Sequence, residues 1–301
     1  MNLVRVALAQ GEDRLENVRR ALGIVRNDLA PKVKGLVLIK PNFLSCTRQL
    51  AATHANPVRA VLEFVTPLAP SKVIVAEGAC SGEAAVGYRN FNYLPLAHDF
   101  SVPLVDLCQE TRWRSIRLLD SEGREVAAEV NALAAEADCR ISVAAAKTHD
   151  TVVVTLSWKN MMGALRREHR SLMHGYPPGA PRDLSKCVKV IHHNLVRLFA
   201  HLGPHIGVVD GFDGMEGEGP GAGAPVPSRF AVASADCVAA DAVVARLMGF
   251  DPLDIGYLYY ANERGLGVAD LSRIEIVGDD IASVARRFKP HSDYEKQRRW
   301  R

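Results

Sequence analysis

The 301-residue sequence predicts an α/β fold with a mainly parallel sheet that carries helices on both faces. Short runs rich in Val and Ile alternate with segments in which apolar residues recur at helical spacing. The Val/Ile runs are almost continuously apolar, as in strands that are buried on both faces. Of all residues, 48% are apolar and 24% are charged, which is an ordinary balance for a globular chain.

The first half of the chain predicts strands and helices in alternation. A strand at 3–8 is followed by a helix at 12–29, whose apolar residues repeat along one face. A second strand, GLVLIKPN, stops at Pro41, and a helix at 57–68 precedes a third strand, KVIVAEG. After VPLVDL and a polar, hairpin-like stretch, a helix is expected in VNALAAEA and a strand in RISVAAAKTH.

The second half continues the alternation. TVVVTLS has the β-branched, apolar composition of a buried strand. A helix is expected at 187–202, strands in HIGVVDG and RFAVASAD, a helix at 237–248, and a last strand in RIEIVG. Two loops rich in Gly and Pro, at 174–183 and 211–227, interrupt this pattern.

These elements predict a single α/β domain over residues 1–285, with two lobes meeting near residue 150 as the alternative. Residues 286–301 form a basic C-terminal tail with seven Lys/Arg and two acidic residues. Such a tail can contact phosphates, but a solvated terminus is the favoured interpretation. The rest of the chain has no basic stripe interleaved with aromatic residues, so nucleic-acid binding is not expected.

The six cysteines are scattered singly along the chain. They stand at 46, 80, 108, 139, 187 and 237, and no two are closer than 28 residues. Zinc ribbons and iron–sulfur clusters need tighter spacing, so an iron–sulfur cluster is not expected in this chain. The sequence has no apolar run of membrane-spanning length and no signal-peptide core, which predicts a cytoplasmic protein without membrane contact.

Polar side chains recur directly after the predicted strands. In a parallel sheet the carboxyl ends of the strands share one edge, and ligands bind in the crevice there. We therefore expect these side chains to converge on one site. The residues in question are Lys40, Asn42, Glu77, Lys147, His149 and Asp210.

Side-chain direction adds detail to this predicted site. Lys147 and His149 are two residues apart and would share one face of a strand, as would Ser157 and Lys159. Each position also has an ordinary structural interpretation. Lys40 could be a surface lysine, Asn42 could form an Asx turn, and Glu77 could cap a loop. Further along, Asp236 is expected to be a helix N-cap, and Asp241 needs a partner inside an apolar helix or faces out.

The loop DGFDGMEGEGPGAG is too acidic and too rich in Pro for a phosphate cradle that leads into a helix. Carboxylates in a flexible loop suit an oxygen-preferring divalent ion such as Mg²⁺ or Mn²⁺. A divalent metal held by Asp210, Asp213 and Glu216 is therefore one hypothesis. The alternative is a glycine-rich lid in which Glu216 binds backbone amides.

Several motifs in this order resemble those of the domain-of-unknown-function family 362. They are IKPN, AEG, KTH, TLSWKNMMG, VVDGFDGMEGEGPGAG, ASADCVAADAVVARLMG and GLGVADLSRIEIVG, and the match covers roughly residues 35–278. The resemblance implies one α/β domain but no established reaction. It also implies signature positions here at Lys40, Asn42, Glu77, Lys147, His149, Lys159, Asn160, Asp210, Glu216 and Asp241. Some members carry a ferredoxin-like segment, which this chain lacks.

The leading hypothesis is an enzyme, isomerase- or lyase-like, that acts on a small carboxylate or phosphate metabolite. Lys147 and Lys159 would hold the anion or a developing enolate. His149 would be the general acid or base, with His174 acting from the opposite side. Substrate binding is assigned to Lys40, Asn42, Glu77 and Asn160. A lysine crowded by other cations could instead form a Schiff base.

Two alternatives belong to other classes. One is a redox protein that depends on a metal or an iron–sulfur centre. The other is a binding protein that holds the same anion without turnover. A nucleophilic hydrolase is disfavoured, because the sequence has neither G-x-S-x-G nor H-E-x-x-H.

Overall fold

The computed structural model describes residues 3–301 and contains one sheet of ten strands and a separate hairpin of two. The strands are β1 (Val4–Gln10), β2 (Leu36–Lys40), β3 (Lys72–Glu77), β4 (Leu104–Asp106), β5 (Trp113–Leu119), β6 (Glu125–Asn131), β7 (Cys139–His149), β8 (Val153–Thr155), β9 (Ile206–Glu216), β10 (Ala224–Val226), β11 (Phe230–Ser234) and β12 (Ile274–Gly278).

The main sheet has the order β12-β1-β11-β9-β7-β2-β3-β4. Along this order only β11 runs antiparallel to its neighbours, β1 and β9. The short strands β8 and β10 add antiparallel partners to β7 and β9. The separate hairpin, β5 and β6, falls in the polar stretch that the sequence marked as hairpin-like. The predicted mainly parallel α/β class is therefore confirmed.

Twelve α-helices are described in residues 3–301. They are α1 (Arg14–Ile24), α2 (Arg26–Leu29), α3 (Ala55–Val65), α4 (Ala84–Asn90), α5 (Leu94–Phe100), α6 (Ala132–Glu136), α7 (Ser157–Asn160), α8 (Leu184–Leu202), α9 (Cys237–Leu247), α10 (Gly256–Glu263), α11 (Ile281–Val284) and α12 (Tyr294–Gln297). The predicted helix at 12–29 is divided at Val25, and the predicted N-cap, Asp236, accepts the N–H groups of Val238 and Ala239.

Two hydrophobic cores lie on opposite faces of the sheet. Alternate residues of β2 divide between them, with Leu38 in one core and Val37 and Ile39 in the other. The first core includes α8 and α9, and the second includes α1 and α3. Because successive strand residues point to opposite faces, a sheet with two buried faces needs apolar residues at nearly every position. The Val/Ile runs of the sequence meet this need.

The segment after His149 departs from the prediction. Only Val153–Thr155 is extended, and it folds back on β7 as β8, while Ser157 begins the one-turn helix α7. The tight turn places Val153 at φ 69°, a left-handed conformation that is strained for a β-branched residue. Ser157 and Lys159 therefore lie on a helix, not on one face of a strand.

The loop at 211–227 is more ordered than predicted. Strand β9 continues to Glu216, and β10 pairs back along it at 224–226. Gly214 permits this path, because a Cβ there would lie 2.6 Å from the ring of Phe288. The segment is therefore mostly a hairpin pinned by the C-terminal residues, not a free lid.

The C-terminal segment, residues 286–301, packs on the body. Phe288, Gln297 and Trp300 are buried, and Gln297 Nε2 donates to the carbonyl of His149 at 2.7 Å. Its charges are partly paired, as in the contact of Lys296 with Asp293 at 2.7 Å. The expectation of a solvated terminus is therefore wrong, because buried apolar and amide side chains anchor this basic segment. The division of the chain at residue 285 stays a prediction.

Replacing Trp300 by Ala tests how strongly this segment is anchored. The indole packs against His192 and donates from Nε1 to Asp254 O at 2.8 Å. Removing a buried indole typically costs about 3 kcal/mol or more of unfolding free energy. We expect a loss of that size in urea denaturation, whereas Arg299→Ala, at an exposed position of the same segment, should change little. Equal effects of the two substitutions would contradict the anchoring.

Candidate active site

A cavity of about 270 Å³ opens at the carboxyl ends of β2, β3 and β7. Seven of the eight residues predicted to be catalytic or substrate-binding line it. They are Asn42, Glu77, Lys147, His149, Lys159, Asn160 and His174. The expectation that residues from distant parts of the chain meet at this edge of the sheet agrees with the geometry.

The eighth residue, Lys40, lies beneath the cavity floor and does not line it. Its Nζ donates to Glu77 Oε2 at 2.5 Å, to Pro41 O at 3.1 Å and to Asn160 Oδ1 at 3.2 Å. Burial lowers the pKa of Lys40 and raises that of Glu77, and the attraction within the pair opposes both shifts. All of its donors are used, so direct substrate binding by Lys40 is not supported.

Two glycines allow the chain to approach this buried ion pair. A Cβ at Gly163 would lie 2.7 Å from Lys40 Nζ, and one at Gly78 would lie 2.1 Å from Gly163 O. Neither distance is tolerable for a real side chain. The glycines that end the AEG and NMMG motifs are therefore required by close packing.

Helix α7 is fixed by a buried carboxylate. Asp241 of α9 accepts the N–H groups of Ser157 and Trp158 at 2.8 and 3.0 Å and the Ser157 hydroxyl at 2.5 Å. Asp241 thus neither pairs with a site lysine nor faces out. By pinning the first turn of α7, it positions Lys159 and Asn160 at the cavity.

Lys159 is the least satisfied cation of the cavity. The side chain is 9% exposed, and its ammonium group forms no hydrogen bond or ion pair within residues 3–301. Burial lowers its pKa to about 8, so most of it stays charged at neutral pH. A buried, charged donor without a partner is costly, and a bound anion would relieve that cost.

Lys147 is held more firmly. Its Nζ donates to Asn42 Oδ1 and, at 3.1 Å, to the carbonyl of Ala51. Burial and the nearby charge of Lys159 lower its pKa to about 7. The neutral amine is therefore well populated near neutrality.

His149 occupies the last position of β7. Its Nδ1 accepts the backbone N–H of Thr151 at 2.9 Å and lies 2.8 Å from Asp150 Oδ1. Without a proton Nδ1 accepts the Thr151 N–H, and with one it donates to the Asp150 carboxylate. Burial and the charge of Lys159 lower its pKa to about 4, so the ring is neutral at pH 7.

His174 stands beside His149, with ring centroids 6.4 Å apart and planes inclined by 17°. It ends the 3₁₀ segment 167–174, and its Nδ1 is buried without a hydrogen-bond partner in the described residues. The pKa of His174 lies well below its usual value, mainly because the ring is buried. Thr155 Oγ1 and Ser171 Oγ, in residues that also line the cavity, likewise have no hydrogen-bond partner within residues 3–301.

Sequence reasoning missed other lining residues, mainly in loops. Arg170 donates to Ala79 O and Gly163 O at 2.7 and 2.8 Å and so ties two of these loops together. Cys80 is exposed at the cavity, and Arg182 adds another cation. Cys80 lies in the Gly-containing loop that follows β3, and Arg182 lies in the Gly-containing loop that precedes α8. Because functional residues are often found in such loops, this position could have indicated both residues from the sequence.

Of the three predicted metal ligands, Asp210 and Asp213 lie close together but around Arg14, and Glu216 does not join them. Asp210 is buried 3.3 Å from Arg14, and Asp213 lies 2.7 Å from Arg14 and 2.8 Å from Arg229. Glu216 accepts the backbone N–H of Lys289. No group of three potential His, Cys, Asp or Glu ligands occurs in residues 3–301. The geometry does not support the predicted metal site, because arginines and a backbone amide already satisfy the carboxylates.

Asp210 also lies outside the main cavity. It lines a neighbouring cavity of about 280 Å³, together with Arg14 and His54. Burial raises the pKa of Asp210, whereas the charge of Arg14 opposes that shift. The convergence predicted for Asp210 is therefore wrong, although it stands at the same edge of the sheet.

Fold and site together define an α/β protein with a cationic cavity at the carboxyl edge of a mainly parallel sheet. The chain belongs to the family described as a domain of unknown function, DUF362, whose model matches residues 37–246. The resemblance seen in the motifs is thereby confirmed.

The similarity of the chain to known proteins is modest. A thylakoid-associated protein of Synechocystis is 25% identical over 254 residues, which cover 84% of this chain and 74% of that protein. The lactate racemase apoprotein of Thermoanaerobacterium thermosaccharolyticum is a structural neighbour with a TM-score of 0.48 and 16% identity. The match covers 69% of this chain and half of that one.

The helices give no evidence of a membrane span. None of those described in residues 3–301 combines the length and apolar character needed to cross a bilayer. The cytoplasmic location stays a prediction.

The buried, neutral state of His149 predicts acid sensitivity. In the unfolded chain its pKa is about 6.5, and in the folded chain it is about 4. The unfolded chain therefore binds more protons between these values, and the folded state loses stability as pH falls through this window.

We expect His149→Asn to reduce this loss between pH 6.5 and 4, because Asn can still accept the Thr151 N–H. The measurement is urea denaturation across the pH range. His98→Asn, at an exposed ring, is the matched control for the substitution itself. An unaltered slope in His149→Asn would contradict the buried neutral ring.

Cys80 reports the charge of the cavity without a known substrate. Because Lys159 and Arg182 line the same cavity, we expect anionic iodoacetate to be favoured at Cys80 relative to neutral iodoacetamide. Lys159→Met should lower the ratio of the two rates about fivefold, the size of one charge interaction of about 1 kcal/mol.

Peptide mapping would assign the modified cysteine. In the native chain, high salt should lower the ratio of the iodoacetate rate to the iodoacetamide rate, because salt screens the charges of the cavity. Lys72→Met, an exposed lysine at the opposite edge of the sheet, serves as the control. A ratio that does not respond to Lys159→Met would contradict a cationic cavity.

Proposed function

We propose that the protein is an enzyme that moves a proton on a small anionic metabolite, with isomerase- or lyase-like chemistry. The observation that carries this proposal is a set of polar groups at one cavity that have no hydrogen-bond partner within residues 3–301. Three of them are fully buried side-chain atoms, His174 Nδ1, Thr155 Oγ1 and Ser171 Oγ, and the fourth is the Lys159 ammonium group. Buried polar groups in folded proteins are nearly always hydrogen-bonded, so such a cluster favours a bound ligand.

The charge of the cavity favours an anion. Four cations line it, Lys147, Lys159, Arg170 and Arg182, against the two carboxylates of Asp150 and Glu77. Glu77 is already paired with Lys40, so positive charge is in excess. A carboxylate or phosphate would give Lys159 the acceptor that it lacks. The volume of about 270 Å³ suits a small metabolite.

The histidines supply the proton transfer. A neutral imidazole accepts a proton, and both His149 and His174 are neutral at pH 7. Lys159 would stabilise the negative charge that develops when a C–H bond beside a carboxylate loses its proton. Two bases in one cavity suit either return of the proton at another position or loss of a neighbouring group.

Thermal unfolding with acetate, pyruvate and phosphate tests the anion site. Binding to the folded state alone raises the melting temperature, by a few degrees once the anion far exceeds its dissociation constant. We expect at least one of these anions to do so in the native chain but not in Lys159→Met. Lys72→Met should behave like the native chain.

Proton transfer is tested by incubating pyruvate and other small 2-oxo and 2-hydroxy acids in D₂O and following deuterium at carbon by NMR. We expect incorporation that falls at least 100-fold in His149→Asn, within the usual range for general acid–base catalysis. Stabilisation by an anion without exchange would instead favour a binding protein. Absence of both effects would overturn the proposal.

A further inference from the structure

The three buried lysines at this site differ in how many of their donors are satisfied. Lys40 has three acceptors, Lys147 has two, and Lys159 has none within residues 3–301. Lys40 is paired with Glu77 below the floor and does not reach the cavity. Lys147 and Lys159 both line it, so they are the two amines that a ligand can meet.

The two acceptors of Lys147 leave one direction around Nζ without a hydrogen-bond partner. An amine nitrogen is tetrahedral, with one bond to Cε and three other directions. Asn42 Oδ1 and Ala51 O take two of these directions, so one direction remains without a protein acceptor in residues 3–301, and Lys147 lines the cavity. When Nζ is neutral, both acceptors can keep an N–H bond, and the lone pair occupies the free direction.

We propose that Lys147 is a nucleophile that forms a Schiff base with the carbonyl carbon of a small 2-oxo acid, whose carboxylate is held by Lys159. This inference rests on the proposed function and names its substrate class. A 2-oxo acid carries a carboxylate beside an electrophilic carbon. It therefore needs a cation and an amine side by side, as the cavity offers.

The environment of Lys147 suits this role. Its pKa of about 7 leaves a large fraction of neutral amine at neutral pH, whereas an exposed lysine has almost none. Burial is the main cause of the lowered pKa, followed by the charge of Lys159. Lowering of a lysine pKa by a second cation is an established way to activate an amine.

The proposed reaction balances without an oxidant or a reductant. Nζ attacks the carbonyl carbon, and the carbonyl π electrons move to the oxygen, which takes up a proton. The nitrogen then loses a proton to give a carbinolamine, whose hydroxyl group is protonated and leaves as water. The product is a protonated imine.

The histidines complete this chemistry. His149 and His174 line the same cavity and can carry protons to and from the carbonyl oxygen and the nitrogen. The positive imine acidifies the neighbouring C–H bond, from which a neutral imidazole can then remove a proton. The Schiff base thereby links Lys147 to the proton transfer already proposed for His149.

Borohydride trapping tests the proposal. The full chain is incubated with pyruvate at pH 7, reduced with sodium cyanoborohydride, and analysed by intact mass and peptide mapping. We expect one adduct, at Lys147, formed at least ten times faster than at exposed lysines such as Lys72. Acetate, which has no carbonyl carbon to attack, should give none, and Lys147→Met should lose the adduct.

A second variant covers the case in which Lys147→Met does not fold. Asn42→Asp places a carboxylate against Lys147 and should raise its pKa, so that trapping moves to higher pH. In the native chain the trapping rate should rise with a midpoint near pH 7. A merely structural role of Lys147 would produce no such profile.

The possible outcomes separate this inference from the proposed function. An adduct at Lys159, or labelling spread evenly over exposed lysines, would overturn the role of Lys147. Stabilisation by pyruvate without any adduct would also overturn it but would leave the anion site intact. Absence of the adduct, together with absence of stabilisation by all three anions and of deuterium exchange, would refute the two proposals together.

Discussion

The buried ion pair of Lys40 and Glu77 is the constraint on which the site depends. It lies where β2 and β3 end, and it reaches α7 through Asn160. Removing two charges from water costs several kcal/mol for each ion, and good geometry with further hydrogen bonds must offset that cost. Lys40 also binds Pro41 O, and Glu77 accepts the N–H of Phe43 at 3.2 Å. Two strand ends and one helix are therefore held in a single arrangement.

The same network leaves the cavity above it incomplete. Asn160 is fully engaged, since its amide donates to Lys40 O and Ser142 Oγ at 3.0 and 2.9 Å. In contrast, the ammonium group of Lys159, its neighbour on α7, has no hydrogen-bond or ion-pair partner in the described part of the chain, residues 3–301. The network of Lys40, Glu77 and Asn160 is fully hydrogen-bonded, whereas groups that line the cavity above it are not. Such an arrangement is expected where a rigid scaffold holds side chains in place for a ligand.

Strand patterning predicted much of the site because it depends on a simple rule. Residues that follow buried parallel strands meet at one edge, and this rule was sufficient for Asn42, Glu77, Lys147 and His149. It failed for Asp210, which pairs with Ala145 across the sheet, below the irregularity between Ala145 and Lys147. A shift in register of this kind leaves no trace in composition.

Other features depended on contacts between distant segments. TVVVTLS reads as one strand by composition, but the carboxylate of Asp241, more than eighty residues away, pins the helix that begins at Ser157. The C-terminal segment looks solvated because of its charges, yet Phe288 and Trp300 are buried. In both cases tertiary interactions overrode local preference.

The hydrogen bond from Gln297 to the carbonyl of His149 has a consequence for folding kinetics. It joins residues 148 positions apart. Closing so long a loop lowers the chain entropy before the contact can stabilise the fold, so this bond is expected to form late. Local elements such as the β5–β6 hairpin can form early, whereas the His149 carbonyl gains this donor only when the segment at 288–300 docks. Partly folded molecules would thus have much of their sheet, with His149 held by β8 and Thr151 but not yet by the C-terminal segment.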